Sequence, residues 1–225
     1  MRRSRTRPNL DFEIYQNAYR ARPLSRFEWL EHGFGTRFFD PPEPLATLRQ
    51  IHSNIAVYAD CTGCLGEGDA LLSGSPGLFA GVKTADCLPI LLVDERHRAV
   101  AAVHAGWRGT VSGVALSALK AMAARWDTEP GDLHAAIGPG IGPCCYEVGP
   151  EVAIQFGEPF QPTRINLEQA NRRQLVDFGI APERIYSPSL CTSCLGDQFH
   201  SFRRDREKAG RMFSVIGVKT LRARD

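Results

Sequence analysis

The chain between residues 55 and 105 alternates short apolar runs with turn-forming residues. The runs read IAVYAD, GLFAGVKT, LPILLVD and RAVAAVHA. Runs of this length, rich in branched aliphatic residues, predict β-strands. Residues 88–93 are apolar throughout, which is typical of a strand covered on both faces. The pattern therefore predicts a sheet buried on both sides.

Two later segments have the period of helices. In TVSGVALSALKAMAARW the apolar positions follow one helical face: Val111, Val114, Ala115, Ala118, Leu119 and Met122. This spacing predicts one amphipathic helix. The segment INLEQANRRQLVDFG predicts a second helix, ended by Gly179 and Pro182. The segments DLHAAIG and RMFSVIGV predict further strands.

Strands and helices follow one another in irregular order, so the chain does not read as a regular βαβ array. This order predicts an α+β fold, an α/β sandwich with mixed sheets. A length of 225 residues suits a single catalytic domain over residues 1–225, with residues 1–25 and 219–225 fraying at its ends. Before residue 50, where Pro41, Pro42 and Pro44 occur, we expect mostly loops and edge strands.

Composition excludes several classes of protein. Lys and Arg number 27 against 25 Asp and Glu, and the small basic excess lies at the chain ends, so we expect no nucleic-acid partner. No stretch approaches the roughly 18 consecutive apolar residues of a membrane span, and none resembles a signal peptide. Seven cysteines, an odd number, suit a reducing compartment. We expect a cytoplasmic protein without membrane contact, a monomer or weak dimer.

Two apolar runs suggest a candidate site: LPILLVD, which begins directly after Cys87, and RAVAAVHA, which contains His104. They have nearly equal lengths and flank the turn DERHR, so a hairpin would bring Cys87 and His104 together. His52 in QIHSN begins another apolar segment and offers a third donor. One thiolate and two imidazoles suit zinc and leave a fourth position open, as in catalytic sites. The alternative is a small buried cysteine and two structural histidines.

Two glycine-containing loops and one carboxylate extend this candidate site. In HAGWRG, Arg108 and backbone N–H groups directly before a helix could face an anion. The loop AIGPGIGPCCYEVG could let its backbone approach a ligand closely, or could be a structural turn. Asp86 is the carboxylate next to Cys87 in the sequence, and could transfer protons or cap a turn.

Several longer strings resemble one bacterial family. They are QIHSN, TADCLPILLVD, VHAGWRGTVSG, AAIGPGIGPCCYEVG, ANRRQL, FHSFRRD and GRMFSVIGV, in this order from about residue 30 to residue 218. They are similar to the laccase-domain proteins, once labelled multicopper polyphenol oxidoreductases. Members are described as zinc-dependent purine nucleoside phosphorylases with adenosine deaminase activity, and some as peptidoglycan editing factors. The resemblance implies a fold like the catalytic domain of cytotoxic necrotizing factor toxins.

The resemblance also implies roles for residues of this chain. His52, Cys87 and His104 would be the ligands of one zinc ion and, with Arg37 in FGTRFF, the catalytic residues. Arg37 would also contact the substrate or phosphate. The implied substrates are phosphate and a purine nucleoside, namely adenosine, inosine, guanosine or methylthioadenosine.

Phosphorolysis requires cations that hold phosphate below the ribose C1′. The candidates are Arg37, Arg108, Arg203 and Arg204. Asp86 is also predicted to bind the substrate, because it is the carboxylate nearest to the metal ligands in the sequence. Deamination requires water activated for attack on the purine C6, which a zinc ion can provide.

Three other functions remain open. A copper oxidase is disfavoured because the six histidines occur singly, without the paired motifs of a trinuclear copper cluster. A cysteine hydrolase or deamidase would use Cys87 as nucleophile and His104 as base, and could act in peptidoglycan editing.

The third alternative is a structural zinc module built from two C-x-x-C pairs. The pairs are CTGC, with Cys61 and Cys64, and CTSC, with Cys191 and Cys194. They lie much farther apart than the roughly 15 to 20 residues of a compact zinc ribbon. Of these four cysteines only Cys191 matches the family strings; Cys145 in CCYEV matches as well.

Overall fold

Strands contain more residues than helices in the computed structural model, which describes residues 11–220. The strands are β1 (Phe12–Tyr15), β2 (Ala18–Ala21), β3 (Leu30–Gly35), β4 (Leu45–Arg49), β5 (Ala56–Tyr58), β6 (Gly63–Glu67), β7 (Ala70–Ser73), β8 (Phe79–Thr84), β9 (Leu88–Asp94), β10 (Ala99–Ala105), β11 (Leu133–Ile137), β12 (Glu147–Val148), β13 (Thr163–Arg164), β14 (Ile185–Tyr186) and β15 (Met212–Val218). The α-helices are α1 (Arg22–Ser25), α2 (Trp107–Val111), α3 (Val114–Trp126), α4 (Pro150–Ala153), α5 (Leu167–Phe178) and α6 (Phe202–Asp205). Short 3₁₀ turns cover Pro130–Asp132, Ile154–Phe156, Pro182–Arg184 and Arg206–Lys208.

Two large mixed sheets organise these strands. One sheet has the order β1-β2-β3-β15-β8-β4-β6, and the other has the order β14-β11-β9-β10-β7-β5. Within the first sheet β4 runs parallel to β8 and β6, and the other neighbours are antiparallel. In the second sheet β14 and β5 are the parallel edge strands. The prediction of a mixed α/β fold with mixed sheets is confirmed.

Strand β9 has apolar cover on both faces. Leu91 and Val93 belong to the core between the two sheets, together with Phe34 of β3. Ile90 and Leu92 belong to the core between the second sheet and helices α3 and α5. All seven residues of β9 are buried, because successive side chains point to opposite covered faces. The molecule is thus layered as sheet, sheet and helices.

The predicted helix that starts at residue 110 is interrupted. Gly113 lies between α2 and α3 with a φ of +75°, which most other residues adopt only with strain. As a result Val111 is 40% exposed, whereas Val114 is fully buried. Helix α5 follows its prediction, since the Asn166 side chain caps it by accepting a hydrogen bond from the N–H of Gln169. No helix within residues 11–220 could span a bilayer.

The N-terminal region is more ordered than the sequence indicates. Strands β1 and β2 pair with each other, and β2 pairs with β3, within the residues 1–25 for which the sequence predicts fraying. The N–H of Lys219 donates to the carbonyl of Trp29 at the other end of the chain. Residues 1–10 and 221–225, on which the rest of that prediction falls, lie outside the described residues. Strand β3 is internal to its sheet, and the three prolines lie in the loop before β4.

The hairpin of β9 and β10 forms as predicted. Its register pairs Asp94 with Ala99 beside the turn and Pro89 with His104 at the open end. Cys87 directly precedes β9, so it lies beside His104 at that open end. The hairpin therefore presents both residues at one edge of the second sheet.

The contrast between two valines tests this packing. We expect Val114→Ala to lower the free energy of unfolding by about 2 kcal/mol, because it removes buried methyl groups and leaves a cavity. Val111→Ala removes the same groups from an exposed position and should change it by less than about 0.5 kcal/mol. Urea unfolding of both variants measures the difference, and equal losses would contradict the assigned break at Gly113.

Candidate functional site

His52, Cys87 and His104 converge at the open end of the β9–β10 hairpin. One ligand atom from each lies within 4.8 Å of those of the other two. The Sγ of Cys87 is 3.9 Å from Nε2 of His52, and the two imidazole rings meet edge to face with centroids 4.9 Å apart. His104 is buried, Cys87 is half-buried and His52 is exposed. The three predicted ligands thus form one cluster that opens toward solvent.

The carboxylate of Asp69, directly before β7, holds this cluster together. Its Oδ1 accepts a hydrogen bond from Nδ1 of His104 at 2.7 Å and from the N–H of His52 at 3.1 Å. Its Oδ2 accepts from the N–H and the hydroxyl of Ser53 at 2.6 and 2.7 Å. With Nδ1 of His104 bound to Asp69, the Nε2 atom faces Cys87 and is the one that could bind a metal ion, as in carboxylate–histidine–metal triads. Asp69 is fully buried.

Mutual interactions shift the ionisation of these groups. Burial opposes ionisation of Asp69, but hydrogen bonds from His104 and Ser53 hold its pKa below the usual range. Burial also opposes the charge on His104, but hydrogen bonds to Asp69 and Cys87 raise its pKa to about 9. For Cys87, burial is outweighed by hydrogen bonds from the two histidines, and the pKa falls to about 6. The site therefore favours a thiolate, the form that binds metal.

The backbone around the cluster is constrained by its neighbours. His52 and Asp86 adopt φ values of +61° and +88°, in a region that side-chain-bearing residues rarely occupy. Such conformations concentrate at functional sites. A Cβ atom at Gly106 would lie 2.9 Å from the Sγ of Cys87 and 3.0 Å from Cδ2 of His52. Glycine at this position therefore gives the ligands the space they need.

A cavity of about 590 Å³ opens beside the three ligands. Ligand sites of small molecules commonly have this size. Apart from the cluster itself and Asp86, its walls are mostly apolar or cationic: Leu48, Gln50, Lys83, Ala85, Ile141, Tyr146, Phe202, Arg203, Arg206 and Arg211. Burial and the nearby charge of Cys87 raise the pKa of Tyr146 to about 12, so its hydroxyl is neutral. The cavity combines apolar surface, a phenol and several cations.

Asp86 lines the cavity, but its carboxylate binds the protein itself. Its Oδ1 accepts a hydrogen bond from the hydroxyl of Thr192 at 2.7 Å, and its Oδ2 accepts from the N–H of Arg203 at 2.6 Å. Its carbonyl accepts from the N–H of Ile141. Asp86 thus joins three segments of the cavity wall, which agrees with the turn-capping interpretation of its sequence position.

Two of the four predicted phosphate arginines lie away from the cavity wall. Arg37 is exposed and donates to the carbonyl of Gly196 at 2.8 Å. Arg204 forms an ion pair with Asp205 at 2.7 Å. Neither residue lines the cavity.

The other two predicted arginines differ in position. Arg108 is exposed and stacks on Trp107, with its guanidinium carbon 4.4 Å from the ring centroid, and it is absent from the cavity lining. Arg203 does line the cavity, where it donates to the carbonyl of Glu147 and lies over the Tyr146 ring. Of the four predicted arginines, therefore, only Arg203 reaches the cavity.

The two C-x-x-C pairs do not form a joint site within the described residues. Cys61 and Cys64 are exposed at strand β6, on the edge of the first sheet. The thiols of Cys191 and Cys194 lie instead beside those of the adjacent cysteines in the glycine loop. This agrees with their long separation in the sequence, and tertiary packing, not the matching motif, determines which thiols meet.

Sequence reasoning missed Asp69 and three cations of the cavity wall, Lys83, Arg206 and Arg211. A signal for Asp69 was present, since it is a lone acidic residue between a glycine and the apolar run ALL. A buried carboxylate at a strand start has to find donors. The three cations carry no comparable sequence signal, because basic residues usually lie on solvated surfaces.

Residues 34–219 match the family described as multi-copper polyphenol oxidoreductase laccase. The chain belongs to this family. The match covers nearly all elements that build the site, from β3 to the end of β15.

Relatives within this laccase family carry enzyme names. Purine nucleoside phosphorylase from Deinococcus radiodurans is 36% identical over 185 residues, 78% of this chain and 71% of that protein. Adenosine deaminase RL5, from an unknown prokaryotic organism, is 37% identical over 161 residues, 66% of this chain and 61% of that protein. The crystal structure of YlmD from Geobacillus stearothermophilus superposes with a TM-score of 0.86 at 26% identity, covering 93% of this chain and 99% of that chain.

The role of Asp69 can be tested by an isosteric change. Asp69→Asn should lower the zinc affinity of the site by about 10- to 100-fold, because His104 loses the anion that orients it and raises its basicity. Competition with a chromophoric chelator measures the affinity. Asp94→Asn is the matched control, since Asp94 is also buried and bonds a histidine, His97, but at the turn end of the same hairpin. Equal zinc affinities in the two variants would contradict the assignment.

Proposed function

We propose that the protein is a zinc-dependent enzyme that phosphorolyses and deaminates purine nucleosides. The observation that carries the proposal is the convergence of His52, Cys87 and His104 beside a cavity of about 590 Å³. The names of relatives in the same family support it, since they include purine nucleoside phosphorylase and adenosine deaminase. The donor set, the cavity size and the cations of the wall all suit this chemistry.

The three donors fit a zinc ion by their chemistry. Two imidazoles and a thiolate are typical zinc ligands, and three protein ligands leave one coordination position for substrate or water. The hydrogen bond from His104 to Asp69 is the outer contact that such ligands require. When bound, zinc would supply Lewis acidity and lower the pKa of a coordinated water.

Zinc fits this donor set better than copper does. Blue-copper sites add a weak axial methionine to two histidines and a cysteine. Within residues 11–220 both methionines are engaged elsewhere, since Met122 is in the helical core and the Met212 sulfur accepts from the N–H of His200. This supports zinc as the metal of the proposed enzyme.

The two kinds of cavity wall suit the two parts of a nucleoside reaction. The apolar and aromatic surface of Ile141, Tyr146 and Phe202 suits a purine ring, which would stack or pack there. In phosphorolysis the C1′–N9 bond breaks as a phosphate oxygen bonds C1′, which yields ribose 1-phosphate and the free purine. In deamination the oxygen of water bonds C6 of the purine as the C6–N bond to the amino group breaks, which releases ammonia. The cations would hold the phosphate while the apolar wall orients the base.

Four cations of the cavity wall are the proposed phosphate site: Lys83, Arg203, Arg206 and Arg211. No ion pair involves any of them in the described part of the chain. Cations without carboxylate partners are available to an anion, and guanidinium groups bind phosphate through paired hydrogen bonds. This assignment is an alternative to the sequence prediction centred on Arg37.

Substitution of Arg206 tests the phosphate site. Arg206→Ala should raise the KM for phosphate roughly tenfold or more, because a charge-assisted hydrogen bond is worth about 1.5 to 3 kcal/mol. Deamination of adenosine needs no phosphate and should retain its rate. Steady-state kinetics of both reactions measure the effects.

Two further variants make this test decisive. Arg96→Ala removes an exposed arginine at the turn end of the β9–β10 hairpin and should leave the KM for phosphate unchanged. Arg37→Ala compares the two assignments directly. A raised KM in Arg37→Ala with an unchanged KM in Arg206→Ala would contradict the cavity-based assignment.

The three ligands can be tested together by activity and metal content. His52→Ala, Cys87→Ala and His104→Ala should each abolish both phosphorolysis and deamination, and each should lose one equivalent of zinc. Incubation with adenosine and phosphate, followed by chromatography of the products, measures both reactions. His97→Ala, at the far end of the hairpin, is the control. Normal turnover by any of the three variants would refute the proposed site.

A second candidate function is supported by the same thiol. The pKa of Cys87 is lowered to about 6, because hydrogen bonds with His104, the predicted base, and with His52 outweigh burial, as in a cysteine hydrolase or deamidase. The proposed likeness to the catalytic domain of cytotoxic necrotizing factor toxins belongs to this candidate. A protein that is active without metal and inactivated by alkylation at Cys87 would favour it over the zinc enzyme.

We also propose a cytoplasmic location. All seven cysteines are unpaired thiols in the structure. Unpaired thiols persist in reducing compartments, where disulfides are rare.

A further inference from the structure

Four thiols outside the proposed active site converge at the surface of the molecule. We call them the cysteine cluster: Cys144, Cys145, Cys191 and Cys194. All four sulfur atoms lie within 4.8 Å of one another. Cys145 and Cys191 are half-buried, and their side chains pack against the helical core. The other two are exposed, so the cluster opens to solvent on one side.

The spacing of the sulfur atoms matches a tetrahedral metal site. The Sγ of Cys194 lies 3.6 Å from that of Cys144 and 3.4 Å from that of Cys145. Four thiolates around zinc at about 2.3 Å are about 3.8 Å apart along each edge of the tetrahedron. A covalent S–S bond measures only about 2.05 Å. The four sulfurs therefore surround a space the size of one ion.

The backbone holds both pairs of cysteines in place. The pair in CTSC has the two-residue spacing of structural zinc ligands. Gly140 forms an isolated bridge with Cys191, its N–H donating to Leu190 and its carbonyl accepting from Thr192. The N–H of Gly142 donates to the Sγ of Cys191 at 3.2 Å. Such N–H donors to sulfur stabilise thiolates, so the loop is arranged for charged ligands.

Two arginines brace the segments that carry the cysteines. Arg204 donates to the carbonyls of Thr192 and Ser193, which lie between two of the ligands in the chain. Arg164 donates to the carbonyl of Cys144. Each guanidinium also has a carboxylate partner, Asp205 for Arg204 and Glu147 for Arg164, so both side chains are held in place beside the cluster.

We propose that the cysteine cluster binds a second zinc ion, structural and separate from the ion of the active site. This ion joins the glycine loop, which supplies Ile141 and Tyr146 to the cavity, to the CTSC segment. A closed set of four thiolates leaves no position for substrate, so its role is structural. Loss of this ion would release one side of the cavity wall.

Metal counting on the full-length protein tests the proposal. Protein produced with zinc and purified in a non-chelating reductant should contain two zinc ions per chain. Cys194→Ser should contain one, Cys87→Ala should contain one, and the double variant should contain none. Cys64→Ser is the matched control, because Cys64 is an exposed thiol of a C-x-x-C pair remote from the cluster, and it should keep two.

Cobalt provides a second measurement that does not depend on how Cys194→Ser folds. Cys87→Ala loaded with Co²⁺ should show the intense visible bands and thiolate charge transfer of a tetrahedral tetrathiolate site. The proposal is overturned if wild-type protein binds one zinc ion that is lost in Cys87→Ala. It is also overturned by iron in place of the second zinc, or by metal-free protein whose intact mass shows a disulfide within the cluster. Zinc in the cluster without activity would refute the proposed function alone.

Discussion

The hydrogen bonds of one buried carboxylate determine the geometry of the candidate site. Asp69 binds Nδ1 of His104 from β10 and the backbone N–H groups of residues 51–53 from the loop after β4. A buried carboxylate is costly unless it is fully hydrogen-bonded, so the loop has to adopt a conformation that supplies these donors. The positive φ of His52 is part of that conformation. Asp69 thus positions two of the three ligands without touching the metal site itself.

The sequence predicted those parts of the candidate site that depend on a single local element. Cys87 and His104 lie at the two ends of one hairpin, and the period of apolar residues with a central turn is sufficient to bring them together. The predicted β9, β10, β11, β15 and α5 follow equally from local patterns. The break at Gly113 could not be predicted from the local pattern. A single glycine inside a helical period indicates only a weaker helix, and tertiary contacts decide whether the helix ends there.

Features that depend on packing between distant segments could not be predicted. Arg206 and Arg211 reach the cavity because the segment between α6 and β15 packs over the open end of the hairpin. The periodicity of the sequence does not predict this packing. For the same reason the sequence did not predict that Cys191 and Cys194 lie beside Cys144 and Cys145. Adjacent cysteines such as Cys144 and Cys145 match no common zinc spacing, so the pattern concealed the half of the cluster that the fold supplies.

The two proposed metal sites are linked through the hydrogen bonds of Asp86. Its carboxylate accepts from Thr192, which lies between two ligands of the cysteine cluster, and its carbonyl accepts from Ile141 of the glycine loop. The next residue in the chain is Cys87. Since the φ of Asp86 is +88°, the direction in which Cys87 leaves the backbone depends on these hydrogen bonds to maintain an otherwise unfavourable conformation. An ion bound at the cysteine cluster would hold Thr192 and, through Asp86, would also help to hold Cys87 in the position that the proposed active site requires.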